Sequence, residues 1–152
     1  MKNRIILSTL VGAVMCSAFA LNANAAEYTV VDETIPASLT GKPGDPVAGK
    51  KAAIHRKKGN CLACHVMPIP EEQFHGEVGP DLSDVGDNYS EAELRMRLVN
   101  PKILNPETIM PSFLTPGTHD VLKKFVGKTI LKPQEVEDII AYLMTLKGQY
   151  SQ

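Results

Sequence analysis

Cys61-Leu62-Ala63-Cys64-His65 is the stretch that decides the reading of this chain. Two cysteines separated by two residues can each form a thioether to one vinyl group of a haem. The histidine directly after the second cysteine then lies beneath the iron as an axial ligand. C-x-x-C-H is the attachment signature of c-type haem. The chain has three cysteines in all, and the third, Cys16, falls in an N-terminal leader.

That leader is Met1-Lys2-Asn3-Arg4, a short basic start, followed by the apolar run Ile5 to Leu21 and the small-residue site Ala23-Asn24-Ala25. The pattern predicts a cleavable secretory signal over residues 1–25. A retained anchor is the competing reading, but the apolar run is near the lower length limit for spanning and the cleavage site follows it directly. Nor does Cys16 suit a lipoprotein site, since Met15 stands where a small residue is wanted. Export places the mature chain outside the cytoplasmic membrane, in a Gram-negative bacterium the periplasm, with no stable membrane insertion. Taking 25 from 152 residues leaves 127, in the range of one domain. Without Lys2 and Arg4 there are 14 basic against 17 acidic side chains, a formal charge of −3, and no basic patch that would mark a nucleic-acid binder.

Residues 26–44 are polar and punctuated by Pro and Gly, with one extended-looking run, Tyr28 to Val31, and read as an irregular arm. The domain proper is expected over 45–152. Asp45-Pro46 is a helix start, with Asp as N-cap and Pro at the first helical position. That helix is expected to run to about Lys58, carrying His55, with Gly59-Asn60 ending it and delivering Cys61. Val66 to Gly79 lacks an apolar period and is a loop. Ser90 and Glu93 form a capping box, opening a helix that carries Leu94 and Leu98 on one face and ends at Asn100-Pro101. Lys102 to Gly117 is a second loop, and Thr118 to Phe125 is expected as a short helix. Pro133 opens the last helix, in which Val136, Ile139, Ile140, Leu143 and Leu146 fall on one stripe, with Gly148 as the stop. The expected class is all-α, about four helices with long loops. Such loops suit a compact domain if they wrap a large apolar cofactor.

His65 is the proximal ligand by position. The sixth ligand must come from a distant segment. Met67 is too close to His65 to reach the opposite face of the ring, and Met96 and Met144 lie on helices, where a methionine usually belongs to the core. Met110 sits in a loop, beside Pro111 and near Phe113, and is the choice; His55, His75 and His119 are its rivals. His/Met ligation raises the potential relative to bis-His and fills both axial positions, which argues for electron transfer over oxygen chemistry. Pro80, in Gly79-Pro80-Asp81-Leu82, is a candidate acceptor for the other ring N–H of His65.

These stretches together resemble a class I cytochrome c, and in detail the SoxX family, the monohaem subunit of the SoxAX complex of periplasmic sulfur oxidation. The resemblance runs from about Ile35 to Leu146. Leu39 to Asp45, Gly59 to His65, Pro80 to Gly86, Leu94 to Pro101 and Gly127 to Leu131, leading to Val136 to Leu143, all carry it. Its most specific stretch is Asn105-Pro106-Glu107-Thr108-Ile109-Met110-Pro111. Val66-Met67 departs from it, where more polar or smaller residues are expected. The resemblance implies one covalently bound haem c, with Cys61 and Cys64 as thioether anchors, His65 and Met110 as iron ligands and Pro80 as the acceptor. It implies a SoxA-like cytochrome partner that holds the catalytic haem and cysteine. With that partner the chain would be the electron-accepting subunit of an L-cysteine S-thiosulfotransferase, joining thiosulfate to a cysteine of a SoxYZ-like carrier and passing electrons to a downstream cytochrome c. No catalytic residue is expected on this chain.

Two other readings share its residues. One is a free, diffusing periplasmic cytochrome c serving an oxidase or reductase. The other is a C-x-x-C dithiol or zinc protein, disfavoured because no strand precedes Cys61 and no further cysteines accompany it. The apolar loop from Val66 to Phe74 is either a partner surface or packing against the porphyrin.

Overall fold

The computed structural model describes residues 27–117 and 121–148; the expected leader, residues 1–25, and His119 lie outside them. Among the described residues four α-helices carry the fold: α1 Pro46–Ile54, α2 Val85–Asn88, α3 Glu91–Val99 and α4 Pro133–Leu143, with short 3₁₀ turns at Cys61–Ala63, Pro101–Ile103 and Lys123–Phe125. Among the described residues there is no strand, only an isolated bridge between Val31 and Thr34. The bridge closes a tight turn in which Asp32 and Glu33 both adopt positive φ, 46° and 59°.

The helix starts follow their local chemistry. The Asp45 carboxylate accepts from the N–H groups of Val47 and Ala48 at 2.8 and 3.3 Å, and Ser90 and Glu93 form the reciprocal box, at 3.3 and 2.8 Å. At α4 the Glu135 carboxylate reaches back to the Lys132 N–H at 2.9 Å. Each bond satisfies a donor that a helix start leaves open.

α1 crosses α4 at backbone contact. A Cβ on Gly49 would overlap the carbonyl of Asp138, and one on Gly44 would overlap that of Glu137. Glycine is therefore required at this crossing for steric reasons alone. The crossing buries Ala52 and Ala53 with Val136, Ile139 and Ile140, all 6% exposed or less.

α3 and α4 are joined by a buried ion pair. Arg95, 2% exposed, donates from Nε and Nη2 to the two carboxylate oxygens of Glu137 at 2.8 and 2.9 Å. Its Nη1 donates to the Ile35 carbonyl at 2.8 Å, and Glu137 also accepts the Leu39 N–H at 2.8 Å. The irregular arm is thus stitched to the helices through one charge pair. A further bond, Ile35 N–H to the Ala92 carbonyl at 3.1 Å, fixes its path.

α4 closes at Leu143, short of Leu146 and of the expected stop at Gly148, and three further expectations shift. α1 ends at Ile54, not Lys58, and His55 caps it in an extended conformation. There the His55 ring accepts the Lys57 N–H at 3.1 Å, a local bond that competes with continuing the helix. Gly59 then folds back under α1, donating to the Ala52 carbonyl at 3.1 Å, and Asn60 turns the chain with φ 50°. The second shift is α2, a single turn that the apolar pattern does not mark. It exists because Gly86 packs on the end of α4 and donates its N–H to the Leu146 carbonyl at 2.8 Å. A Cβ there would lie 2.8 to 2.9 Å from the carbonyls of Leu143, Met144 and Leu146. Thirdly, the helix expected over Thr118 to Phe125 is, among the described residues, only the 3₁₀ turn at Lys123–Phe125.

Candidate cofactor site

Among the described residues, the loops that leave these helices enclose a cleft of about 580 Å³, lined largely by apolar side chains from the Cys61–His65 peptide, α2, α3, α4 and the loops between them. Cys61, Cys64 and His65 line one wall. α3 contributes Leu94 and Leu98, and α4 contributes Leu143. Met110, Pro111, Phe113 and Ile130 line the same cavity. The sequence-selected residues Cys61, Cys64, His65, Pro80 and Met110 are all brought to this one cavity.

Cys61 stands in the 3₁₀ turn Cys61–Ala63, which swings the peptide so that Cys64 and His65 follow on the same wall. The His65 N–H donates to the Cys61 carbonyl at 2.9 Å, and the Gly79 N–H to that of Cys64 at 2.7 Å. His65 Nδ1 lies 2.7 Å from the Pro80 carbonyl oxygen. A carbonyl only accepts, so Nδ1 carries a proton, and it is the other nitrogen, Nε2, that the neutral ring offers to an iron. Gly79 lies flat against the imidazole: a Cβ there would sit 2.6 Å from Nδ1 and 2.9 Å from Nε2. The ring is held by a hydrogen bond on one edge and by backbone beside it.

Met110 is half-buried, and its N–H donates to the Thr108 hydroxyl at 3.2 Å. The loop that presents it is pinned by Lys102 Nζ donating to the Thr108 carbonyl at 2.8 Å, and by Ser112 Oγ to Asn100 at 3.0 Å. The Phe113 N–H donates to the Leu98 carbonyl at 3.0 Å. The other methionines among the described residues do not line the cavity: Met67 and Met96 are 2% and 0% exposed in the core, and Met144 packs against it. Neither does His55 or His75. His75 Nδ1 accepts the Met67 N–H at 3.2 Å, and its Nε2 donates to the Glu72 carbonyl at 3.1 Å, so both ring nitrogens serve the loop.

Burial pushes the Cys61 thiol up to about 12, against a smaller lowering by its own backbone hydrogen bond. A dithiol oxidoreductase needs the reverse, a cysteine made acidic enough to attack as thiolate. The cavity suits the haem instead. It is apolar where a porphyrin face is apolar, its two thiols stand two residues apart on one wall, and soft sulfur and neutral imidazole donors line it. Gly79, and Gly76 against the Ala63 carbonyl, leave no room for side chains behind that wall.

Sequence reasoning missed Tyr89 and Arg97, which line the same cavity, the guanidinium 4.1 Å from the Tyr89 ring centroid. The only available signal was position, since Arg97 sits three residues after Leu94 and so shares its side of α3.

The fold and cavity define a small all-helical protein built around one covalently held haem, and comparison with known proteins agrees. The cytochrome c family model matches residues 47–147. The chain belongs to the cytochrome c family and carries a haem c. It is 36% identical over 115 residues to a cytochrome c2 of Rhodopila globiformis, covering 69% of this chain and 96% of that one. An uncharacterized lipoprotein of Aquifex aeolicus is 30% identical over 106 residues, a match that spans only 45% of that protein. Among solved structures, a chain of the crystal structure of SoxXA from P. pantotrophus superposes with a TM-score of 0.72 at 36% identity, covering 81% of this chain and 96% of that chain. The protein is therefore a monohaem electron carrier of c type with a structural likeness to SoxXA. No helix among the described residues is long and apolar enough to cross a membrane.

Proposed function

We propose that this chain is the electron-accepting haem subunit of a periplasmic SoxAX-type complex, which couples thiosulfate to a carrier cysteine. The observation that supports it is the likeness to the SoxXA chain at 36% identity over 96% of that chain's length. In this reading Cys61 and Cys64 anchor the haem, and His65 and Met110 ligate its iron. The haem, when bound, takes up and releases one electron at a time. Pro80 fixes the tautomer and angle of His65, Gly79 keeps space for the ring, and the wall of Leu94, Leu98 and Phe113 keeps water from the cavity. His65 and Met110 would both be taken up in holding the group, so substrate chemistry falls to the partner. The chain has no cysteine beyond Cys16, Cys61 and Cys64, so in this reading the catalytic cysteine is the partner's too, and the cysteine that finally receives the sulfur is the carrier's. Export rests on the leader and on a relative that is named a lipoprotein, and cleavage after Ala25 on the leader alone.

Co-expression with the SoxA-like chain of the same organism and with haem maturation tests the proposal. The expected result is a stable heterodimer in which adding thiosulfate and carrier reduces this haem. A lone monomer at micromolar concentration, unreduced under those conditions, refutes it. The second reading, a free carrier, is favoured by the equal identity to a cytochrome c2 over 96% of that protein. It predicts that monomer.

A further inference from the structure

Phe74 is 86% exposed, the most exposed large apolar side chain of the described residues, and it does not line the haem cavity. The loop around it is not loose. Met67 and Ile69 are 2% and 1% exposed beneath it. His75 clamps it by accepting from the Met67 N–H and donating to the Glu72 carbonyl. Lys50 pins its edge through Glu71 at 2.6 Å, and the Gly76 N–H donates to the Leu62 carbonyl at 2.7 Å, inside the haem-binding peptide. A fixed loop thus holds one phenylalanine in water, beside the segment that reaches the cavity rim at Val78, itself 68% exposed.

Along the chain around the loop the charge has one sign, and the Lys50 at its edge is paired with Glu71. From Gly59 to Leu94 the chain contains eight Asp and Glu and neither Lys nor Arg. Glu72 and Glu77, which flank Phe74, make no ion pair among the described residues. The nearest cations in sequence, Arg56, Lys57 and Lys58, precede Cys61 and line the cavity, and Lys58 is held by Glu135 at 2.6 Å.

The geometry points to this face as the docking site for a basic electron-transfer protein, one whose apolar spot receives Phe74 within a ring of Lys and Arg that meets Glu72 and Glu77. One aromatic anchor inside unpaired carboxylates is the composition of a small, wet, transient contact. A permanent subunit interface is larger and loses its charges at the core. Charge of opposite sign also steers encounter and quickens association. This rests on the reading of the chain as an electron carrier and extends it, by naming where the electron leaves and to what kind of surface. The stable partner takes another face.

The test uses the haem-loaded full chain, reduced, mixed in stopped flow with a strongly basic soluble cytochrome c in its ferric form. One electron leaves this chain's ferrous haem and reduces the ferric haem of the probe, with no proton transferred. E72K/E77K should slow the second-order rate at low salt by about tenfold or more and flatten its salt dependence. E27K/E33K, the same charge change on the N-terminal arm, should slow it less than about threefold, which separates the face from net charge. F74A should slow it by about fivefold with the salt slope unchanged. Fluorescence titration of the zinc-substituted, redox-inactive probe should show the same order of affinities. Equal effects of the two charge pairs, or an F74A rate and affinity like wild type, would overturn the inference. So would F74A abolishing assembly with the SoxA-like chain. The heterodimer experiment is read separately, so either idea can fail alone.

Discussion

Arg95→Met is the change that best tests how this fold is held. The substitution keeps most of the side-chain volume but removes three donated hydrogen bonds: two to Glu137 at 2.8 and 2.9 Å, and one to the Ile35 carbonyl at 2.8 Å. Glu137, 5% exposed, keeps only the Leu39 N–H. Breaking a buried pair on one side leaves an uncompensated charge and costs about 3–5 kcal/mol. At a slope of about 3–5 °C per kcal/mol for a domain of this length, Tm should fall by roughly 9–25 °C. R95M/E137L removes both charges and leaves the Ile35 carbonyl and Leu39 N–H unpaired, at about 1–3 kcal/mol each. The double variant should be no less stable than R95M alone, a non-additivity that marks direct coupling. Thermal unfolding of the holoprotein by far-UV circular dichroism reads both effects. Neither residue lines the cavity, so the haem absorption spectrum should be unchanged. A loss in R95M below about 1 kcal/mol, with additive behaviour in the double variant, would refute the idea that this pair ties the arm to α3 and α4.

Met110→His should lower the midpoint potential by a sizeable part of the roughly 0.8 V that axial ligands span and abolish the sulfur-to-iron charge-transfer band. Redox titration and the visible spectrum check both. Gly49→Ala should cost about 1–3 kcal/mol or more through overpacking at the α1–α4 crossing, read as a lower denaturant midpoint. The Glu135 carboxyl is raised by burial, but the Lys58 ammonium and the Lys132 N–H outweigh that and hold it below the ordinary 4.5. A depressed carboxylate adds stability above its unfolded pKa and loses it as pH falls through its folded value. Glu135→Gln should therefore lower Tm at neutral pH and leave it nearly unchanged well below pH 4.5, which a pH series of melts would show.

How much of this was legible beforehand differs by element. Asp45-Pro46, Ser90 with Glu93, and Pro133 marked three helix starts correctly, because a cap is satisfied within a few residues and needs nothing distant. α2 was not legible: its turn is stabilised by Gly86 against the end of α4, a contact across some sixty residues of chain. The end of α1 was placed too late for a related reason, since Gly59 must fold back onto Ala52 to bring Cys61 to the cavity.

The pentapeptide from Cys61 to His65 and the stripe of α4 are local patterns, and the sequence alone determined from them the haem and the all-helical class; Met110 was chosen from its loop position beside Pro111. The tertiary structure decided what no local pattern encodes. It gathered Met110 to the cavity of His65, set the Pro80 carbonyl against Nδ1, and buried Arg95 with Glu137. It also left Phe74 in solvent, away from the haem cavity, where the sequence left its loop between partner surface and porphyrin packing. Caps and motifs act over one helical turn, whereas a cavity shared by His65 and Met110, a buried charge pair and an exposed aromatic depend on where distant segments come to rest.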